Sequence, residues 1–149
     1  MKKYEINKNT LAIIAITNGI SKVYEKDKTL YVYLPTIKII DDSCKFFGSS
    51  YSGRFEGTKN LLNVSYKSPI IIEEQNKIIF FPTRSPRISS CSWISLNNID
   101  CYYREDKSTV IKFIGGRKIK IKLSYGIVDN QVLRATRLES TFNKRVNIW

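Results

Sequence analysis

Asp41-Asp-Ser-Cys-Lys-Phe-Phe-Gly-Ser-Ser-Tyr-Ser-Gly-Arg-Phe-Glu-Gly-Thr-Lys-Asn-Leu-Leu62 is the stretch on which the reading of this chain turns. It holds three of the seven glycines (Gly48, Gly53, Gly57), and it sets Ser49, Ser50, Phe46, Phe47 and Tyr51 around Lys45 and Arg54. Asp41 or Asp42 can cap a short helix that Gly48 closes, and Ser49 or Ser50 can cap a second. In that second helix Tyr51, Phe55, Thr58 and Leu62 fall on one face. Gly53 and Gly57 would lie one turn apart, each costing roughly 1 kcal/mol against alanine. Composition alone is equally consistent with two glycine-rich turns around a short helix.

Outward from this segment the chain reads as strands. Tyr4–Ile6 and Leu11–Thr17 flank a turn at Asn7-Lys8-Asn9, and Asn18-Gly19 is a further turn signal. Lys22–Glu25 and Thr29–Leu34 form a hairpin that Pro35 ends, while Ile37–Ile40 fits either strand or helix. Val64–Tyr66, Ile70–Glu73, Ile78–Phe81, Cys91–Leu96, Cys101–Arg104, Thr109–Ile114 and Arg117–Leu123 follow, with Gly115-Gly116 as a tight turn. A helix is expected near 129–144, with Val128, Val132, Ala135, Leu138 and Phe142 on one side and Arg134, Arg137, Lys144 and Arg145 opposite. The expected fold is α+β: mainly antiparallel sheet, a short glycine/serine-rich helical segment near 41–62 and a C-terminal amphipathic helix. The 149 residues suffice for one domain.

Charge points to the partner. Twenty-five Lys and Arg stand against thirteen Asp and Glu, a net +12. From Lys112 onward nine bases face two acids, which is +7 of that +12. Such a field draws a polyanion. In Arg117-Lys-Ile-Lys-Ile-Lys-Leu123 strict alternation sets Lys118, Lys120 and Lys122 on one face at roughly 7 Å spacing, either to protect an edge strand or to meet phosphates. Pro82-Thr-Arg-Ser-Pro-Arg87 is a loop stiffened by two prolines that carries Arg84 and Arg87, and Arg134 and Arg137 lie on the polar side of the C-terminal helix.

Other chemistries fare poorly. Histidine is absent, which excludes serine–histidine and cysteine–histidine catalysis. The pairs Asp41-Asp42 and Glu73-Glu74 match no catalytic spacing. Cys44, Cys91 and Cys101 form no C-x-x-C, so reduced thiols, no metal and no cofactor are expected. The apolar run Leu11–Ile16 is too short for a leader, and no run is long enough for a membrane span. Nine tyrosines and seven phenylalanines would allow single-strand or RNA stacking, but most alternate as core residues do.

Ser43-Cys-Lys-Phe-Phe-Gly-Ser-Ser-Tyr-Ser-Gly-Arg54 and Gly57-Thr58 carry a family resemblance. So do Ser68-Pro-Ile-Ile-Ile72, Ile79-Phe-Phe-Pro-Thr83, Cys91-Ser-Trp-Ile-Ser95, Leu123-Ser-Tyr125 and Asn130-Gln-Val-Leu-Arg134. From about Tyr4 to Arg145 the chain resembles the ComK competence transcription factors of low-GC Gram-positive bacteria. The resemblance implies a cytoplasmic, nucleoid-associated activator of DNA-uptake genes. It would bind paired A/T-rich boxes largely through the minor groove, as a dimer or tetramer, bend its sites and contact RNA polymerase. It also implies adaptor-directed proteolysis. Longer members, however, extend past the position of Arg145 with a tail that serves the adaptor, whereas this chain stops at Trp149. A shortened paralogue modulating a full-length relative is the alternative. The expected DNA-binding set is Arg54, Arg84, Arg87, Arg117, Lys118, Lys120, Lys122, Arg134 and Arg137.

Overall fold

The longest apolar runs become the central strands of a sheet buried on both faces. The computed structural model describes residues 1–17 and 19–147, so the Asn18 half of the Asn18-Gly19 turn lies outside the described residues. Strands β1 (Thr10–Thr17), β2 (Ile20–Glu25), β3 (Thr29–Val32), β4 (Ile70–Glu73), β5 (Ile78–Pro82) and β6 (Trp93–Ser95) form an antiparallel sheet in the order β3-β2-β1-β6-β5-β4. Strands β7 (Ile99–Glu105), β8 (Ser108–Phe113) and β9 (Lys118–Ile121) make a second antiparallel sheet. Helices α1 (Thr36–Phe46), α2 (Tyr51–Leu62) and α3 (Tyr125–Val146) complete an α+β fold.

The period of two decides which core each side chain enters. Ile13, Ile70, Ile72, Ile78, Phe80 and Trp93 point to one face of the large sheet, where they meet Ile39, Ile40 and Cys44 of α1 and Tyr51 of α2. Ala12, Ile71, Ile79, Phe81 and Ile94 point to the other. There they meet Ile111, Phe113 and Ile119 of the small sheet and Val128, Ala135 and Leu138 of α3. The layers are therefore α1 and the start of α2, then the large sheet, then the small sheet with α3, and the end of α2 reaches round to this second core through Leu62.

Two expected strands are absent, for the same reason. The backbone of Tyr4–Ile6 is tied to its surroundings by side chains rather than by a ladder: Ile6 N donates to Ser43 Oγ at 3.0 Å, and the Tyr4 phenol donates to Glu25. The 64–66 segment is held likewise by α3, where Arg134 donates to Tyr66 O at 2.8 Å and Gln131 to Lys67 O at 3.0 Å. Lys67 turns through a positive φ of 48°.

The glycine- and serine-rich segment resolves into the end of α1, a four-residue turn and α2. Helix α1 already starts at Thr36, with Pro35 in the cap position, so neither Asp41 nor Asp42 caps it. Asp42 pairs with Lys38 at 2.9 Å instead. Asp41 reaches forward, pairing with Lys45 at 2.9 Å and accepting the Tyr51 N–H at 2.9 Å. It thus supplies an anion to the amino end of α2. Gly48 (φ 87°) ends α1, and Ser50 Oγ accepts the Gly53 N–H at 2.9 Å. A Cβ on Gly53 would come within 3.0 Å of Ser49 Oγ and 3.3 Å of Ser50 Oγ, so this glycine makes room for Ser49 and the capping Ser50. Nothing in the structure explains Gly57, around which there is open space.

The hydrogen bond from the Tyr51 N–H, joined by Lys45, holds the Asp41 carboxyl below the usual carboxylate range. A depressed carboxyl stabilises the fold above its ordinary titration range, and that stabilisation is lost as pH falls through the folded value. Asp41→Ala is expected to cost about 1 kcal/mol at neutral pH, the worth of a well-placed anion at a helix amino end. The gap from the parent chain should close in acid. Urea unfolding from pH 7 down to pH 3 measures it, and a gap independent of pH would contradict the assignment.

Candidate nucleic-acid interface

The small sheet has one covered face and one open face. Gly115 and Gly116, both at φ 102°, turn β8 back into β9. The register sets Ile111 against Ile119 and Tyr102 on the inner face, over α3. Tyr102 Oη donates to Asp129 Oδ1 of α3 at 2.6 Å, and Thr109 Oγ1 to Leu123 O at 2.8 Å. Burial, then the bond to Asp129, raises the Tyr102 phenol above its ordinary range, so it stays a neutral donor. The open face therefore rests on a fixed support.

On that open face the cross-strand rows are Cys101–Lys112–Lys118 and Tyr103–Val110–Lys120. Lys118 and Lys120 are exposed, and Lys122 continues the alternation just past β9, also exposed. Lys112 and Lys118 stand directly opposite one another, a like-charge pairing that is unfavourable in the free protein. Compensation is thin. Lys112 lies 3.9 Å from Asp100 and Lys120 lies 3.1 Å from Glu105, both surface pairs. Lys118 Nζ sits 6.0 Å from the Tyr103 ring centroid. Neighbouring lysines are thus roughly 5 Å apart across strands and 7 Å along them.

Arg117, expected in the DNA-binding set, is turned inward to bind the two sheets together. Its guanidinium donates to Glu25 O at 2.7 Å, Lys28 O at 2.8 Å and Thr29 Oγ1 at 2.9 Å, and lies 5.1 Å from the Tyr24 ring centroid. Arg54 is also engaged: it pairs with Glu74 at 2.6 Å, is only 15% exposed, and its Nε has no hydrogen-bond partner among the described residues.

A second group of cations gathers around Gln131. This buried amide donates to Pro82 O at 2.7 Å as well as to Lys67 O, which fixes the arginine loop and the 64–68 segment against α3. Arg84 and Arg87 are exposed and have no carboxylate partner among the described residues. Arg87 and Lys67 line a hollow of about 520 Å³ with Tyr51, Phe55 and Tyr66. Lys67 Nζ is 5.5 Å from the exposed Tyr66 ring. Arg134 spends its guanidinium on Tyr66 O; Arg137, one turn on, is exposed.

Two helices joined by a short turn have the outline of a helix-turn-helix. The exposed positions of α2, however, are Ser52, Gly53, Glu56, Gly57, Lys59 and Asn60, with one base against one acid. No concentration of charge there competes with the lysine face. Among the described residues no cluster of His, Cys, Asp and Glu could hold a metal, and no helix is long and apolar enough to cross a membrane.

Sequence reasoning missed Lys112, Tyr103, Lys67 and Tyr66 as site residues. The signal for Lys112 was its place between Ile111 and Phe113, which fixes its face; that it meets Lys118 depends on a register that only the folded turn defines.

The architecture is that of a basic, strand-built protein in which four of the lysines, Lys112, Lys118, Lys120 and Lys122, follow one face of the small sheet. Comparison with known proteins places it further. The family described as ComK protein matches residues 1–147, and the chain belongs to that family. It is 36% identical over 151 residues to the competence transcription factor of Bacillus subtilis (strain 168), an alignment covering 99% of this chain and 79% of that relative. The chain is a transcriptional regulator of this type. No solved structure matches it.

Proposed function

We propose that the chain binds A/T-rich double-stranded DNA as a homo-oligomer and activates competence genes. In this reading Lys112, Lys118, Lys120 and Lys122 sit on phosphates, while Arg84 and Arg87 enter the minor groove of paired boxes and Lys67 and Arg137 support them. The opposed pair Lys112 and Lys118 carries the argument, because a phosphate between them turns a repulsive pairing into a favourable one. Arg54, Arg117 and Arg134 act through the fold, which they hold together by the hydrogen bonds already described. The B. subtilis relative's designation as a competence transcription factor supports the regulatory side of the reading.

Six phosphate contacts give a slope near −5 in log affinity against log salt, at roughly −0.9 each. Fluorescence anisotropy with a duplex of paired A/T boxes is expected to show such a slope, and weaker binding to a G/C duplex of equal length. A slope near zero would exclude electrostatic binding, and equal affinity for both duplexes would exclude the A/T preference.

A further inference from the structure

The hollow beside the arginine loop differs in charge from its neighbours. Hollows of similar size elsewhere hold carboxylates among their cations: Glu73 and Glu74 beside Arg54, and Glu5 and Asp42 beside Lys2 and Lys3. The one of about 520 Å³ lined by Lys67 and Arg87 holds no acid. Neither cation has a carboxylate partner among the described residues. Burial raises the phenol of Tyr51, which also lines the hollow, so that residue stays neutral. Two cations therefore line one concave site with no anion to offset them.

The walls are fixed before anything binds. Tyr51 packs edge-on against Trp93, with ring centroids 6.1 Å apart, and tilts against Phe55 at 6.1 Å. The Tyr66 and Lys67 carbonyls are held by Arg134 and Gln131 of α3, and Gln131 also holds Pro82 O at the root of the arginine loop. Within that loop the Ile88 N–H donates to Ser85 O at 3.0 Å. Yet Tyr66, on this pinned backbone, is 64% exposed. An aromatic ring held in water by a rigid support is ready to be covered by a flat ligand, with little ordering left to lose.

The lining chooses the ligand. Tyr51, Phe55 and Tyr66 supply rings, and a nucleobase stacks on aromatic rings. Lys67 and Arg87 supply charge-assisted hydrogen bonds to a phosphate. Ser65 and Ser85 add hydroxyls that suit a ribose. The volume falls within the roughly 300–1,000 Å³ of small-molecule sites. Inorganic phosphate would leave the rings unused, and a neutral base would leave the cations unpaired. We propose that this hollow binds a free purine mononucleotide, its base against the aromatic rings and its phosphate on Lys67 and Arg87. The DNA-binding reading gives the same two cations to the duplex, so an occupied hollow weakens duplex binding. That consequence rests on the DNA-binding reading; the site does not.

The first test contains no DNA, so it can fail independently of that reading. Calorimetric titration of the full chain with adenosine 5′-monophosphate is expected to reach half-saturation at or below about 1 mM. Adenosine and inorganic phosphate should each bind at least roughly tenfold more weakly. Tyr66→Ala and Lys67→Gln should each weaken the nucleotide roughly tenfold. Tyr66→Phe should bind like the parent chain, as should Lys26→Ala, which removes an exposed charge from the β2–β3 turn. Circular dichroism melts check that each variant is folded. Phosphate bound as tightly as the nucleotide, or equal weakening by Lys26→Ala and Lys67→Gln, would reduce the interaction to net charge and overturn the proposal. No saturation by the mononucleotide, or saturation by single-stranded oligoadenylate alone, would also overturn it. In a second titration, saturating nucleotide should weaken binding of the paired-box duplex severalfold. Undiminished duplex binding would uphold the site and overturn the shared use of its cations.

Discussion

Replacing Lys112, Lys118 and Lys120 together by alanine is expected to weaken duplex binding several hundredfold at about 0.1 M salt. Each phosphate contact contributes roughly 0.9 log unit between 1 M and 0.1 M salt, so three lost contacts amount to roughly 2.7. The salt slope should flatten by the same figure, and the two proteins should converge near 1 M. Stability should be unchanged or slightly raised, because Lys118 and Lys120 are exposed and the Lys112–Lys118 opposition is relieved. Anisotropy titrations at several salt concentrations, with thermal melts alongside, make the comparison. Parental affinity in the triple variant would remove the small sheet from the interface.

Trp93→Ala is expected to destabilise the fold by about 3–5 kcal/mol, the usual cost of deleting a buried aromatic. Trp93 is fully buried at the centre of the large sheet, with its ring 6.1 Å from that of Tyr51 in an edge-on arrangement. It links β6 to the start of α2, so the cavity would open where two layers meet. A loss of that size is a large part of the roughly 5–15 kcal/mol typical of a domain. Trp93→Phe should lose clearly less. It leaves a smaller cavity and also deletes Nε1, a buried donor without a hydrogen-bond partner among the described residues. Urea unfolding of both variants measures the difference; equal losses would show that ring volume is not the deciding term.

Much of the fold could be read from the chain because the dominant signals were local. Alternation in Arg117–Leu123 correctly set the lysines apart from Ile119 and Ile121, and the i, i+3, i+4 pattern placed Val128, Ala135 and Leu138 in the core. The α3 start was set four residues late: Ser124 accepts the Ile127 N–H and caps a helix whose first turn contains Gly126, a poor helix former that hid it. What could not be read were tertiary substitutions for secondary structure. The backbone is bonded at Ile6 by Ser43, at Tyr66 by Arg134 and at Lys67 by Gln131, residues 37 to 68 positions away.

The charged site was legible in outline only, for a related reason. A basic residue that meets water and one that ties backbone carbonyls together look the same in a sequence. Arg117 sits beside three lysines yet bonds to the β2–β3 hairpin, 88 to 92 residues earlier. Conversely, Lys112 looked like an isolated charge in an apolar strand and became the opposite number of Lys118 only through the Gly115-Gly116 turn.

The most direct test is a lysine footprint. The chain, free and saturated with a paired A/T-box duplex, is acetylated briefly and read residue by residue by mass spectrometry. Lys112, Lys118 and Lys120 should be protected by the duplex, while Lys38 and Lys45 on α1, across the large sheet, should label equally in both states. Full labelling of the three small-sheet lysines in the complex, with protection on α1 instead, would contradict the account.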